Sequence, residues 1–326
     1  MSAPDLTLAA FAVFVGALVK GVVGLGMPLV AIPLLAWAVG LKQAVALLVL
    51  PMIGSNLVQS FQGDFRVQPA RCVADPADAP PADAVLFCVK LTDTETAARA
   101  ILPMVKAGAD VFTFQNGVES ADMLDAVFGE GRTVPGVAYI SATLGAPGAV
   151  VHKALVPRLE FGERNGTMSA RVQALAEACE AARVVSDAVS NIERALWLKF
   201  VMLASFASST ALTRATIGRL RTEPRTRRLL VALLDEAFAV AGAKKAGLTS
   251  ADHQRIMTEL DAINGAARAS MAFDIENGKP LESPYLSGAI VRIGERLGVP
   301  TPTHQFFADA LSVWEKGASK PDVPGV

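Results

Sequence analysis

Only three residues between Met1 and Gly63 carry charge, Asp5, Lys20 and Lys42, whereas charges are frequent from Asp64 onward. A chain with such a break does not read as one uniform globular body. Val22 to Leu41 is an uncharged run of 20 residues, long enough to cross a bilayer core as a helix. Leu6 to Val19 and Ala44 to Val58 are further, mostly apolar runs. The pattern predicts a membrane-type helical hairpin over 1–63, with residues 6–60 partitioning into a membrane. A buried hairpin of a soluble protein is the competing reading. A signal peptide fits less well, because the start is not basic and the apolar region runs too long.

Inside that segment, "VKGVVGLGMPLVAIP" (Val19 to Pro33) tests a second idea. A dinucleotide-binding loop needs Gly-x-Gly-x-x-Gly between a strand and a helix. Gly24 and Gly26 have the first spacing, but position 29 is leucine, and Gly21 does not rescue the pattern in another register. No acidic residue follows about 20 residues on to hold a ribose. Glycine and proline breaks suit a membrane helix whose irregular backbone faces protein or water.

The formal net charge of −1 gives no basic field for nucleic acid. Cys72, Cys88 and Cys179 lie far apart, as do His152, His253 and His304, so no metal site and no disulfide framework is expected. Cys88, in an apolar run, reads as core. The glycosylation-like "NGT" at Asn165 reads as a hairpin turn.

From Asp64 the pattern is globular. Ala84 to Val89 reads as a buried strand, "TETAARAILPMVKAGA" as a helix, and "DVFTFQNG" as a strand ending in a turn. "VPGVAYISATLGAPGAVVHKA" and "RLEFGERNG" read as further strands. Beyond Met168 helical periodicity dominates, and the helix in "RTRRLLVALLDEAFAVAGAKKAG" is expected to end at Gly247. Strand–helix alternation followed by helices predicts an α/β fold followed by an all-α part. The expected domains are 1–63, 64–167 and 168–326.

Two resemblances sharpen this. "GALVKGVVGLGMPLVAIPLLA" and "LKQAVALLVLPMIGSNLVQSF" resemble the start of the sulfite exporter (TauE/SafE) permease family, over about the first 62 residues. "ADAVLFCVK", "FQNGVES", "GAVVH", "LWLKF", "ARASMAFDIENGKPLE" and "LSGAIVRIGERLGVPTPTH" resemble the ketopantoate reductase family, in order and spacing from Asp64 to about Lys316. The second resemblance implies a dinucleotide-binding sheet, a helical substrate domain, and NADPH-dependent reduction of 2-dehydropantoate or a related small 2-keto acid. It makes Lys199 the general acid. Glu282 would hold the substrate hydroxyl and orient Lys199, and Ser270 would bind the carboxylate. Lys90 and Asn116, ending successive strands, would face the nicotinamide, with Asn116 also touching substrate. A homodimer and a cytoplasmic C-terminal body are compatible with it.

The chain departs from that family twice. Asparagines often stand one and two turns after the catalytic lysine; here those positions are Leu203 and Ala207, with Ser205, Ser208 and Ser209 as other polar candidates. The opening strand, Gly-rich turn, helix and second strand are replaced by membrane-like sequence. The expected dinucleotide sheet is therefore truncated, and activity impaired. A transport fragment and a non-catalytic chimera are the alternative readings.

Overall fold

The computed structural model describes residues 73–140, 142–144, 150–152 and 157–317. The expected membrane segment, residues 6–60, and Cys72 lie outside them. The described residues contribute to two compact units. The larger comprises Pro81–Val137, Glu160–Ala176 and the chain from Asp187 onward; the smaller includes Ala138–Leu159 and Glu177–Ser186.

The strands are β1 (Ala84–Phe87), β2 (Asp110–Thr113), β3 (Thr133–Tyr139), β4 (Ala142–Leu144), β5 (Val150–His152), β6 (Arg158–Phe161) and β7 (Ser186–Ala188). One sheet has the order β1-β2-β3-β6-β7, and β4 and β5 form a separate antiparallel pair. β1, β2 and β3 run parallel, with Ala84 opposite Asp110 and Val111 opposite Thr133. Parallel neighbours need a crossover. Two helices supply it, α1 (Thr94–Lys106) between β1 and β2, and α2 (Ser120–Phe128) between β2 and β3. All three strands therefore deliver their carboxyl ends to one side of the sheet. Phe87, Val111, Ala98, Val105 and Leu124 close the core between strands and helices.

Among the described residues β1 is paired on one side only. Leu86 is 56% exposed and Cys88 is also exposed. The expectation of a buried strand with Cys88 in the core is thus corrected: of the four strand residues only Phe87 is buried. The strand also stops at Phe87, two residues short of the expected end.

The remaining helices are α3 (Ala170–Ala181), α4 (Ile192–Thr213), α5 (Ile217–Thr222), α6 (Pro224–Ala243), α7 (Ser250–Ala262), α8 (Ser270–Glu276), α9 (Ser287–Leu297) and α10 (Pro302–Ser312). α4 begins where the Asn191 side chain accepts from the Arg194 amide, 3.0 Å away, and ends at Arg214 in the left-handed region. It is long and apolar enough to cross a membrane. Its residues Trp197, Phe200, Val201 and Ala204 are instead buried against Leu230, Leu234, Ile290 and Leu311. Burial within protein, not lipid, accounts for its composition.

Two local expectations are corrected. Asn165 makes a side-chain turn to the Thr167 amide at 3.0 Å, and the chain goes on into α3, not into a hairpin. α6 ends at Ala243, before Gly247, because Lys245 already takes a positive φ of 59°.

Candidate active site

The site grows from the carboxyl ends of β1 and β2, both in the larger unit. "QNG", Gln115 to Gly117, follows β2, and each residue has a separate task. Gln115 is buried. Its amide nitrogen donates to the Val89 carbonyl at 3.0 Å and to the Thr94 hydroxyl at 2.8 Å, and its oxygen accepts from Thr113 at 3.1 Å. It ties both strand ends to the start of α1. Gly117 has φ +91°, and a Cβ there would meet the Leu91 side chain at 3.4 Å and the Tyr285 carbonyl at 3.5 Å. Those are ordinary contacts, so it is the positive φ that calls for glycine here. Between them Asn116 presents its Oδ1, which accepts from the Lys199 ammonium at 2.9 Å.

Lys199 stands on α4, which is held rigid by the core. Burial of its ammonium lowers the pKa from the ordinary 10.5 to about 8, while the negative charge of Glu282 acts in the opposite direction. Glu282 is itself buried, and its Oε1 accepts from the Leu91 amide at 3.0 Å. Lys90, the residue before, forms an ion pair with Asp274 on α8 at 2.7 Å. Lys199, Asn116, Glu282 and Lys90 are thus gathered around adjoining segments at the strand ends.

Ser270 is the exception. It is exposed at the start of α8 and its hydroxyl has no hydrogen-bond partner among the described residues. Its link to the group is through helical spacing: Asp274 lies four residues on, on the same face of α8. Asp274 and Gln115 were not singled out from sequence. A carboxylate one turn after Ser270, and a polar residue between an apolar strand and "NG", were the available signals.

A narrow, open cleft with a volume of about 10 Å³, room for about one water, lies against Lys199 and Asn116. Leu196, Phe200 and Leu203 of α4 wall it, with Val137 of β3. The serines offered as replacements for the absent asparagines do not line it. Ser205 bonds the Val201 carbonyl at 2.9 Å and Ser209 that of Phe206 at 3.2 Å. Ser208 shares a 2.6 Å bond with Ser287, whose hydroxyl is 2.9 Å from His304 Nδ1. Ala207 is core. These positions point into the helical packing, so only Leu203 of the two substituted sites touches the cleft.

Three parallel strands whose carboxyl ends meet a buried lysine on a following helix have the build of the two-part α/β oxidoreductases. Comparison with known proteins agrees. Models described as ketopantoate reductase PanE/ApbA and its C-terminal part match residues 54–166 and 191–315. The 2-dehydropantoate 2-reductase of Archaeoglobus fulgidus is 31% identical over 246 residues, 76% of this chain and 80% of that protein. A solved PanE/ApbA family ketopantoate reductase from Ralstonia eutropha is 28% identical with a TM-score of 0.70, covering 80% of this chain and 87% of that one. A 2-dehydropantoate 2-reductase structure from Geobacter metallireducens has 25% identity and a TM-score of 0.71, covering 80% and 94%. The chain belongs to the ketopantoate reductase family.

Proposed function

We propose that the chain is an oxidoreductase that reduces a small 2-keto acid at the Lys199 cleft, with NADPH as hydride donor. The observation that carries this is the buried Lys199 ammonium, its pKa near 8, held by Asn116 and facing the charge of Glu282. A general acid works best when its pKa lies near the working pH. Bound NADPH supplies the hydride that adds to the carbonyl carbon.

The protein's own part is as follows. Lys199 donates a proton from Nζ to the carbonyl oxygen. Asn116 fixes the direction of that ammonium, and Glu282 keeps it protonated. Ser270 is assigned to the substrate carboxylate. Lys90 and Asn116 are placed where dinucleotides lie in open parallel sheets, outside the carboxyl ends of strands. These residues fit the nicotinamide end. For the pyrophosphate, no Gly-x-Gly-x-x-Gly occurs in the sequence, and the anion normally rests on a helix N-terminus reached through such a turn. We therefore read turnover as impaired. The domain division at 64 and 168 and the membrane placement of residues 6–60 belong to the same proposal.

The test compares the full chain with one in which residues 1–63 are replaced by a complete Gly-x-Gly-x-x-Gly strand–helix–strand unit from a related reductase. NADPH binding and keto-acid reduction are expected in the second and weak in the first. Micromolar NADPH binding with turnover by the unaltered chain would overturn the impairment. No keto-acid turnover by a complemented chain that binds NADPH would overturn the activity.

A further inference from the structure

Taking Lys199 and Glu282 as parts of one site, as proposed above, we infer that Arg292 is a positioning residue, which holds the turn behind Glu282 against the turn behind Asn116. Arg292 stands on α9. Its Nη1 donates to the Pro284 carbonyl at 2.7 Å, and its Nη2 donates to Glu119 Oε2 at 2.6 Å. Pro284 comes two residues after Glu282, and Glu119 three after Asn116. One guanidinium therefore spans the two turns whose side chains act on Lys199.

The group suits that task. A guanidinium is planar and its N–H groups have fixed directions, so bonds to two elements fix their spacing. Gly288 leaves it room: a Cβ there would stand 3.3 Å from Arg292 Nη1 and 3.3 Å from the Ser283 carbonyl. Arg296, one turn further along α9, lies 3.8 Å from Glu119 Oε1, so both carboxylate oxygens face the same helix. The two turns also touch directly, since a Cβ on Gly117 would lie 3.5 Å from the Tyr285 carbonyl.

Glu282 is thus held at both ends. At its tip, the Leu91 amide donates to Oε1 at 3.0 Å. Behind it, the Tyr285 amide closes the turn on the Glu282 carbonyl at 2.9 Å, and Arg292 ties that turn outward. The Ser283 hydroxyl, in the same turn, is buried without a partner among the described residues and adds no tie. The Arg292 side chain is 46% exposed, and an ion pair in that setting contributes little to stability. Its effect is on placement: the Glu282 carboxylate stays where its charge acts on Lys199. Lys90, on the neighbouring turn, is taken up by Asp274.

Placement and plain charge act with opposite signs. Removing the cation of Arg292 would, through space alone, raise the Lys199 pKa, because a nearby positive charge disfavours the ammonium. Loosening the Glu282 turn lowers it, because the favourable carboxylate moves away.

Carbon-13 NMR of the lysine Cε in the full chain follows the titration of Lys199 from about pH 6 to about pH 11. The resonance is assigned by its absence from Lys199→Met, and circular dichroism checks folding. Glu282→Gln is expected to lower the Lys199 pKa by about one unit. Arg292→Ala should lower it too, by up to that amount. Arg292→Lys should lower it less, since it keeps the charge but lacks the fork; it serves alone where the alanine variant does not fold. Adding Arg292→Ala to Glu282→Gln should lower it no further, because both act through one carboxylate. A Lys199 pKa unchanged or raised in the folded Arg292 variants, alongside the fall in Glu282→Gln, overturns the inference and leaves the site standing. A further fall in the double variant also overturns it, since Arg292 would then act apart from Glu282. A Lys199 pKa indifferent to Glu282→Gln overturns the site itself.

Discussion

Replacing Lys199 by methionine should change how stability depends on pH, and the size of the change follows from the structure. The folded-state pKa of Lys199 is lowered from 10.5 to about 8. Between those values the unfolded chain holds the proton that the folded chain has released. Stability contributed by this group therefore rises with pH across that window and is lowest below about pH 8. A shift of this size corresponds to about 3 kcal/mol. Urea unfolding of the unaltered chain and of Lys199→Met, from about pH 7 to about pH 11, measures it. Other lysines and tyrosines titrate in both proteins and cancel in the difference. The unaltered chain should gain about 3 kcal/mol relative to the variant over that range. Removing the opposing charge with Glu282→Gln should move the gain to lower pH, because Glu282 raises the Lys199 pKa. A difference independent of pH would refute the buried-ammonium account.

Three further outcomes are expected. Ser287→Ala leaves two fully buried groups, Ser208 Oγ and His304 Nδ1, without their shared partner; it should cost about 1–3 kcal/mol in urea unfolding, and a cost near zero would show that the chain of bonds is idle. Gly162→Ala would place a Cβ 2.1 Å from the Val189 carbonyl oxygen, so soluble yield and thermal midpoint should both fall sharply, and an unchanged midpoint would contradict that close approach. Glu163 is held below its ordinary pKa mainly by the Arg171 guanidinium; its contribution is present above about pH 4.5 and lost as pH falls through the folded value, so Glu163→Gln should be less stable at neutral pH by about 1–2 kcal/mol and should lose less than the unaltered chain on acidification.

The site was more legible in the sequence than the surroundings that build it. Lys90 and Asn116 could be placed because each ends a strand pattern, and ligands bind outside the carboxyl ends of parallel strands; Lys199 and Glu282 are legible only through the resemblance to the ketopantoate reductase family. Their supports were hidden. Gln115 looks like loop polarity until its three bonded neighbours, Val89 just after β1, Thr113 of β2 and Thr94 of α1, come together in space. Asp274 sits among apolar residues of "SMAFDIE", and only the packing of α8 beside the end of β1 gives it Lys90. Ser205, Ser208 and Ser209 read as cleft candidates because sequence cannot say which side of a largely buried helix faces the cavity. α4 is apolar on all sides, so its periodicity carries no direction. Cys88 was assigned to the core because an apolar run suggests a strand covered on both faces; β1 has a partner on one side only among the described residues. β7, three residues long, has no alternation to detect and owes its extended form to its neighbour in the sheet. The family match begins at residue 54, ten residues before the boundary that the charge distribution suggests.

The assignment of Lys199 as proton donor is tested most directly by the pH dependence of kcat/KM for keto-acid reduction, measured in the chain complemented with a Gly-x-Gly-x-x-Gly unit. Lys199 acts in its protonated form and has a pKa of about 8, so the rate should hold below that pH and fall above it. Lys199→Met should lower the rate by about 10²–10⁴ and abolish that fall. A profile that stays level through pH 8 in the unaltered protein, or a methionine variant with undiminished rate, would contradict the account.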